Sequence, residues 1–376
     1  RRMDYYVNSV LEQVQPLGVG GYRHNLGGSV KKTFRRGTAL QLSGDLDYGF
    51  NNRDIKGNGR LGFTYKPRNF GNAFIRFGDI YRVINNQETF INILSRNNFT
   101  QKTYYGAGHY MEVFNGLRLA TAFEYAHYRS IDSLRLAGWT NDLFGENNIP
   151  RTFEPYRQLL LQVKIEYTPG QKYHLEPFRK VIIGSKWPTF YLEYEKALPG
   201  VLGSEMNFDF LELGLRHEFR PGSFGISRWT VRTGKYLQAS KIQFTDYKFF
   251  RGSDPYLFAN PLKAFQLLGP TISTKNEYLQ GHFLHDFGGT LINKIPLLRR
   301  TALQVTAGAG SLFIRDGGFF HSEVYAGLQY PFRIRKQRFK IGGYFATSYS
   351  NHTDAISAQF KYGITFFNPI RNQWEY

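Results

Sequence analysis

Cysteine is absent from the chain, which excludes a disulfide framework and any thiolate metal site. That absence suits a protein that crosses an oxidising periplasm. Equally absent is any run approaching the ~20 apolar residues that a transmembrane helix needs. Acidic residues are scarce beside basic ones, 29 against 48, which leaves a formal net charge of +19. The opening residues Arg1-Arg2-Met3-Asp4 carry no signal-peptide pattern, and upstream domains are expected to precede them.

Catalytic signatures are missing too. Asp286-Phe287-Gly288 mimics a kinase triplet without its catalytic loop or Gly-rich strand. Gly18-Val19-Gly20-Gly21 and Gly106-Ala107-Gly108 lack the following helix that a phosphate cradle requires. His282 and His285 stand three apart on an expected strand, so they point to opposite faces and share no metal. No Gly-x-Ser-x-Gly elbow occurs. A barrel-wall hydrolase would need a lumen-facing His, acid and Ser, but His321 and Glu323 share a face that Ser322 does not. The expectation is a non-enzymatic chain without cofactor or metal.

What is abundant is aromatic residues and glycine: 34 Phe, 26 Tyr and 39 Gly, at a mean hydropathy of −0.42. The pattern is period two. Leu159, Leu161, Val163, Ile165 and Tyr167 oppose Leu160, Gln162, Lys164 and Glu166. Leu42, Gly44, Leu46 and Tyr48 oppose Gln41, Ser43, Asp45 and Asp47, and Ile356 to Phe366 repeats the design around Gln359 and Lys361. Only a strand puts i, i+2 and i+4 on one face. A soluble sandwich also alternates, but these strands are long, roughly 9–13 residues, and their apolar faces end in Tyr and Phe, as at a membrane interface.

About sixteen such segments occur, from 16–24 and 28–35 to 357–368, an even number as bacterial barrels require. Residues 1–15 are expected as a periplasmic lead-in and 16–376 as the barrel. Alternate connections are short: Arg35-Arg36-Gly37, Pro67-Arg68-Asn69, Asn115-Gly116, Arg220-Pro221-Gly222 and Arg333 to Gln337. They read as periplasmic turns, with 169–187 and 288–300 as longer members of the set. The opposite connections include the longest, 129–156 and 236–275, while 83–99, with Phe90, Ile91, Ile93 and Leu94, is expected as a short helix on the outer rim.

The basic excess gathers on the turn side: Lys31, Lys32, Arg35, Arg36, Lys66, Arg68, Arg179, Lys180, Lys294, Arg299, Arg300, Arg333, Arg335, Lys336, Arg338 and Lys340. Such a rim suits anionic lipid headgroups or an acidic protein partner, or keeps the turns soluble. Nucleic acid is not an expected partner, because the aromatics line the lipid side of many strands and form no single stacking platform.

The connection 236–275 contains Phe249-Phe250-Arg251-Gly252-Ser253 and falls between the eleventh and twelfth expected strands. It resembles the Arg-Gly loop of the outer-membrane assembly superfamily, to which the central barrel of the BAM complex and the two-partner-secretion transporters belong. That resemblance implies a sixteen-stranded barrel whose long extracellular loop folds into the lumen, with Phe250, Arg251 and Gly252 as its motif. It also implies an inner-wall carboxylate as partner of Arg251, for which Glu323 is the candidate. Ile182 to Pro188, Leu202-Gly203-Ser204 and Asn293-Lys294-Ile295-Pro296-Leu297-Leu298 resemble a Bacteroidota outer-membrane family in which a carboxypeptidase-regulatory-like β-sandwich precedes a C-terminal barrel. The implied role is a subunit of a larger complex for outer-membrane protein assembly or transport in the Gram-negative outer membrane. The alternative is a passive channel or a docking scaffold. Asn368 to Tyr376 continue past the aromatic Phe367 at which such chains usually end, so either the last strand is longer or a short tail follows.

Overall fold

The computed structural model describes all residues except 1, 88–94, 133, 135–148, 270–271, 352–354, 369–372 and 376. The chain begins with strand β1 (Arg2–Val7), helix α1 (Val10–Gln13), β2 (Val14–Gly18), β3 (Gly21–Thr33), β4 (Ala39–Gly49) and β5 (Asp54–Lys66). It continues with β6 (Gly71–Val83), β7 (Phe99–Phe114), β8 (Leu117–Arg129), β9 (Tyr156–Tyr167), β10 (Lys172–Leu175), β11 (Lys180–Gly184), β12 (Thr189–Ala197) and β13 (Asn207–Phe219). The remainder is β14 (Ile226–Lys241), β15 (Lys248–Phe250), β16 (Ile272–Thr274), β17 (Tyr278–Gly288), β18 (Gln304–Ile314), β19 (Phe319–Ile334), β20 (Gln337–Ser350), β21 (Ala355–Asn368) and β22 (Gln373–Glu375).

The main sheet holds eighteen strands. Fifteen of them, β3–β9, β12–β14 and β17–β21, form one antiparallel meander, joined by β1, β2 and β22. β1 and β2 pair with the two halves of β3, Arg2↔Thr33 to Val7↔Gly28 and Val14↔His24 to Gly18↔Gly21. They are therefore one interrupted first strand, and with it the barrel has the sixteen staves expected. Among the described residues no helix is long and apolar enough to cross a membrane; strands do the crossing, since neighbouring strands of the sheet pair one another's backbone groups.

The first two expected strands are corrected. Residues 16–24 and 28–35 were to be separate, yet Gly21–Thr33 is continuous. Gly27 and Gly28 do not break it because they let β1 approach: the Asn8 amide donates to Gly27 O at 2.9 Å, and a Cβ on Gly28 would stand 2.7 Å from Tyr6 O. Residues 2–7, expected in a lead-in outside the barrel, supply that strand. Of the expected rim helix of 83–99, residues 88–94 lie outside those described; the described remainder holds the end of β6, a turn and a single 3-10 turn, Arg96–Asn98, before β7.

Alternation sorts the two faces. On β21 Phe360, Tyr362 and Ile364 are 68%, 65% and 54% exposed, whereas Lys361 and Thr365 are 1% exposed. On β19 Val324 and Leu328 face outward while His321, Glu323, Tyr325 and Gln329 are buried in the lumen. Turns are tight at one end. Asn115-Gly116 joins β7 to β8 with Gly116 at φ +89°, where a Cβ would meet Thr168 O at 2.3 Å; only glycine takes that left-handed turn with the neighbouring backbone so near. The chain past Phe367 turns back as β22, pairing Phe366↔Glu375, Phe367↔Trp374 and Asn368↔Gln373.

The outward face gives the first prediction. Val324→Arg, placed toward the middle of an outward strand face, should cost ~2–4 kcal/mol in denaturant unfolding from lipid vesicles. Gln41→Arg on the lumen face of β4 should stay within about 0.5 kcal/mol of the parent. Equal costs would contradict the assignment of faces.

Candidate functional site: a plugged lumen and an unpaired seam

The connection between β14 and β17 enters the lumen as a short hairpin, β15 against β16 with Lys248↔Thr274 and Phe250↔Ile272 in register. Aromatic side chains then seat it. Phe250 is buried with its ring edge-on to Tyr278 at 5.0 Å. Phe265 is buried between His282 at 4.5 Å and His321 at 5.6 Å. Phe258 stacks on Tyr344 at 3.7 Å and 3°, and lies edge-on to Tyr325 at 5.1 Å. Such ring pairs add ~0.5–1.5 kcal/mol each beyond the area they bury.

Polar groups fix the plug's register. Glu323, 2% exposed, accepts the Gln266 amide at 2.7 and 2.8 Å and the Leu267 amide at 2.9 Å. His321 Nε2 lies 3.3 Å from the same carboxylate. The Gln266 side chain accepts from the Ala259 amide at 3.1 Å and donates back to Ala259 O at 3.2 Å. Lys361 donates to Asp254 O at 2.6 Å and to Ser253 Oγ at 3.3 Å. Lys248 and Tyr278 both bond the buried Glu212 carboxylate.

This corrects the expected Arg251–Glu323 pair. Glu323 binds the loop, but through two backbone amides some fifteen residues beyond Arg251. The contact that Arg251 makes is through its carbonyl, which accepts the Phe265 amide at 2.8 Å and closes the loop on itself. Among the described residues no ion pair involves the Arg251 guanidinium. Gly252 has φ outside the left-handed region, and a Cβ there would sit 3.1 Å from Gly269 O, so its use is close backbone approach. Phe250, Arg251 and Gly252 are thus brought into the plug.

The basic residues expected at the turn end divide into exposed and buried ones. Lys31, Lys32, Arg35, Arg36, Lys66, Arg68, Arg299, Arg300, Arg333, Arg335, Lys336 and Arg338 are exposed there. Arg68 also donates to Pro177 O at 2.8 Å, holding the β10–β11 hairpin across the neighbouring turns. Arg179 donates to Glu176 at 3.0 Å, and that bond holds the Glu176 carboxyl below the usual carboxylate range. Lys180 is corrected: it is buried, paired with Glu112 and 2.8 Å from Asn115 Oδ1, so it ties the hairpin to the wall and presents no free charge. Lys340 is likewise buried and bonds Asp286 at 3.1 Å.

The seam is the second feature. Among the described residues no ladder joins β1 or β2 to β21. One edge of β21 pairs along its length with β20; the other is met by β22 at Phe366–Asn368 and by a single parallel bridge, Leu257↔Tyr362. In that bridge Phe258 donates to Tyr362 O at 2.8 Å and Tyr362 donates to Tyr256 O at 2.8 Å. The first strand opposite is broken by α1, with Val10 and Leu11 exposed. Sequence reasoning missed this bridge and the anchoring by Lys361. Lys361 was within reach of pattern, since alternation sets it on the lumen face; the bridge is backbone pairing and leaves no side-chain signature.

An antiparallel barrel of sixteen staves, filled by a long loop from the end opposite the tight turns, has the fold of outer-membrane β-barrels. The chain belongs to the family described as "Family of unknown function (DUF5686) C-terminal domain", whose model matches residues 1–328. Among solved structures it is similar to BamA from Haemophilus ducreyi lacking POTRA domains 1–3, at 12% identity and a TM-score of 0.50, covering 97% of this chain and 70% of that one. It is also similar to CdiB from Escherichia coli, at 10% identity and a TM-score of 0.44, covering 97% of this chain and 63% of that one. OccK10 (OpdN) from Pseudomonas aeruginosa follows at 10% identity and a TM-score of 0.36, covering 97% and 96%. No curated protein matches the chain.

The anchoring carboxylate yields the second prediction. Glu323→Ala leaves two buried amides without an acceptor, at ~1–3 kcal/mol each, and should expose residues 242–277 to limited proteolysis of the intact barrel. Glu323→Gln, which keeps one acceptor, should fall between. Arg251→Ala should leave the cleavage pattern at wild type, and the reverse ranking would restore Arg251 as the anchor.

Proposed function

We propose that this barrel is a non-enzymatic subunit of a larger envelope complex that serves outer-membrane protein assembly or transport in a Gram-negative, Bacteroidota-type outer membrane. The observation that carries the reading is the seam: an interrupted first strand, and a last strand that among the described residues has no ladder to it. A sheet edge left unpaired within a bilayer is costly and primed to accept another strand. The lumen loop supports the same reading, because it occupies part of the lumen while the wall beside it stays separable. Upstream periplasmic domains, including a carboxypeptidase-regulatory-like sandwich, complete the protein in this proposal. The basic rim then faces the periplasm, against anionic headgroups of the inner leaflet or an acidic partner.

The second reading, a passive channel or docking scaffold, draws on the side of the lumen that the loop leaves open. There the ion pairs Lys164–Glu193 and Arg216–Glu166 line the wall with Lys164 and Arg216 51% and 55% exposed.

The test is a gentle detergent pull-down of the tagged full-length protein with mass spectrometry of what co-purifies. Stoichiometric recovery of an outer-membrane assembly barrel or a secretion apparatus is the expected result; recovery of the chain alone, with ohmic conductance after reconstitution, would move the account to the channel. Disulfide crosslinks between the first strand and residues 357–368 should impair growth and alter envelope composition. Unchanged growth with the seam locked would sink the assembly reading.

A further inference from the structure

We infer that the lumen loop is also the latch of the barrel seam, so that unplugging the pore and freeing the edge of the last strand are one event. The argument begins with direction. In an antiparallel strand both backbone groups of one residue point to the same side. Tyr362 directs its N–H and its C=O to the loop, to Tyr256 O and from the Phe258 amide, each at 2.8 Å. It therefore forms a non-hydrogen-bonded pair with its opposite number on β20, Gly343, and the free edge of β21 is the one the loop occupies.

The bridge does not stand by itself. The residue before Tyr362 holds the loop's backbone from the lumen side, through Lys361 Nζ to Asp254 O. Ser253 Oγ donates to Leu257 O at 2.5 Å, folding 253–257 into the turn that presents the bridging residues. The residue after Leu257, Phe258, is clamped on Tyr344, and the Gln266 side chain bonds both faces of Ala259. Gln266 is in turn the residue whose amide Glu323 holds. A continuous set of contacts thus runs from the plug's anchor at Glu323, through Gln266, Ala259 and Phe258, to the seam at Tyr362. Tyr256 and Leu257 themselves are largely exposed, so the burial of their side chains does not hold them at the edge. The backbone pairing does.

The absence of cysteine makes a clean crosslinking test possible. Paired strands lie ~4.8 Å apart, inside the Cα window of a disulfide. In the reconstituted full-length protein, Leu257→Cys with Tyr362→Cys is expected to oxidise readily, while Leu257→Cys with Phe366→Cys is not. Adding Glu323→Ala to the first pair should raise bilayer conductance on the order of tenfold when reduced, and oxidation should return it to the parent level. A pair that fails to oxidise, or a Glu323→Ala barrel that conducts equally in both redox states, would overturn the latch.

Tyr362→Pro gives an answer if Glu323→Ala fails to fold. It deletes the donor to Tyr256 O at an edge position, where proline is tolerated, and leaves the ladder with β20 intact. The latch predicts that the amides of Phe258, Gln266 and Leu267 all exchange faster in this variant; faster exchange at Phe258 alone would separate seam from plug and refute the coupling. Both experiments use the barrel without partners. A protein that passes them and recovers nothing in a pull-down keeps the latch and loses the assembly role.

Discussion

Inside a bilayer no water is available to satisfy a peptide group, so a sheet that spans it must pair every strand on both sides. Fourteen of the sixteen staves meet that demand through their neighbours in the meander. Among the described residues the first and last are joined by no ladder. Around this single unmet requirement the less regular parts of the chain are organised: α1 interrupting the first strand, β22 turning back on the last three residues of β21, and the loop segment 256–258 reaching its free edge. β22 and the loop segment each cover part of an edge of β21 that a conventional barrel would seal with one uniform ladder.

The lumen obeys a different rule. Many charges facing inward are held in pairs or clusters across neighbouring strands, because an unpartnered buried charge costs several kcal/mol. Arg23, 1% exposed, bonds Asp47 at 2.8 Å and Asp54 at 2.9 Å, and Tyr81 completes the set by donating to Asp54 at 2.6 Å. Glu124 serves Arg76 and Lys102 together. The plug is held by the same kinds of contact with fewer full charges: Glu323 takes backbone amides, Lys361 gives to a carbonyl, Lys248 of the hairpin pairs with Glu212, and aromatic rings pack around them.

Much of this was legible in the sequence because a half-exposed strand writes itself as alternation. Ile356 to Phe366, the stave count and the short-turn end are all consequences of period two and turn chemistry. Residues 1–35 were not read correctly, because glycine carries two meanings: Gly27 and Gly28 look like a turn in one dimension and are close packing against β1 in three. The lead-in 1–15 has its strand broken by a helical turn, which destroys the periodicity. At the site, the resemblance to the outer-membrane assembly superfamily led to Glu323 and the loop that it holds, yet implied the Arg251 side chain as the partner of that carboxylate. The true partners are peptide N–H groups, which every residue has and no sequence pattern marks. Lys180 was misjudged for a related reason. Its cationic neighbours are solvated, but Glu112, sixty-eight positions away, is brought under it by the β10–β11 hairpin.

The central claim is that the last strand's outer edge is met by the loop at one residue and lacks a ladder to the first strand. Residue-resolved hydrogen exchange along β21 in lipid tests it most directly. The account predicts slow exchange at Gln359, Lys361 and Gly363, whose amides face β20, and fast exchange at Ala358, Phe360 and Ile364, with Tyr362 alone protected among these edge-facing positions. Uniform protection from Ala358 to Ile364 would mean that the first strand seals the barrel and that the seam described here does not exist.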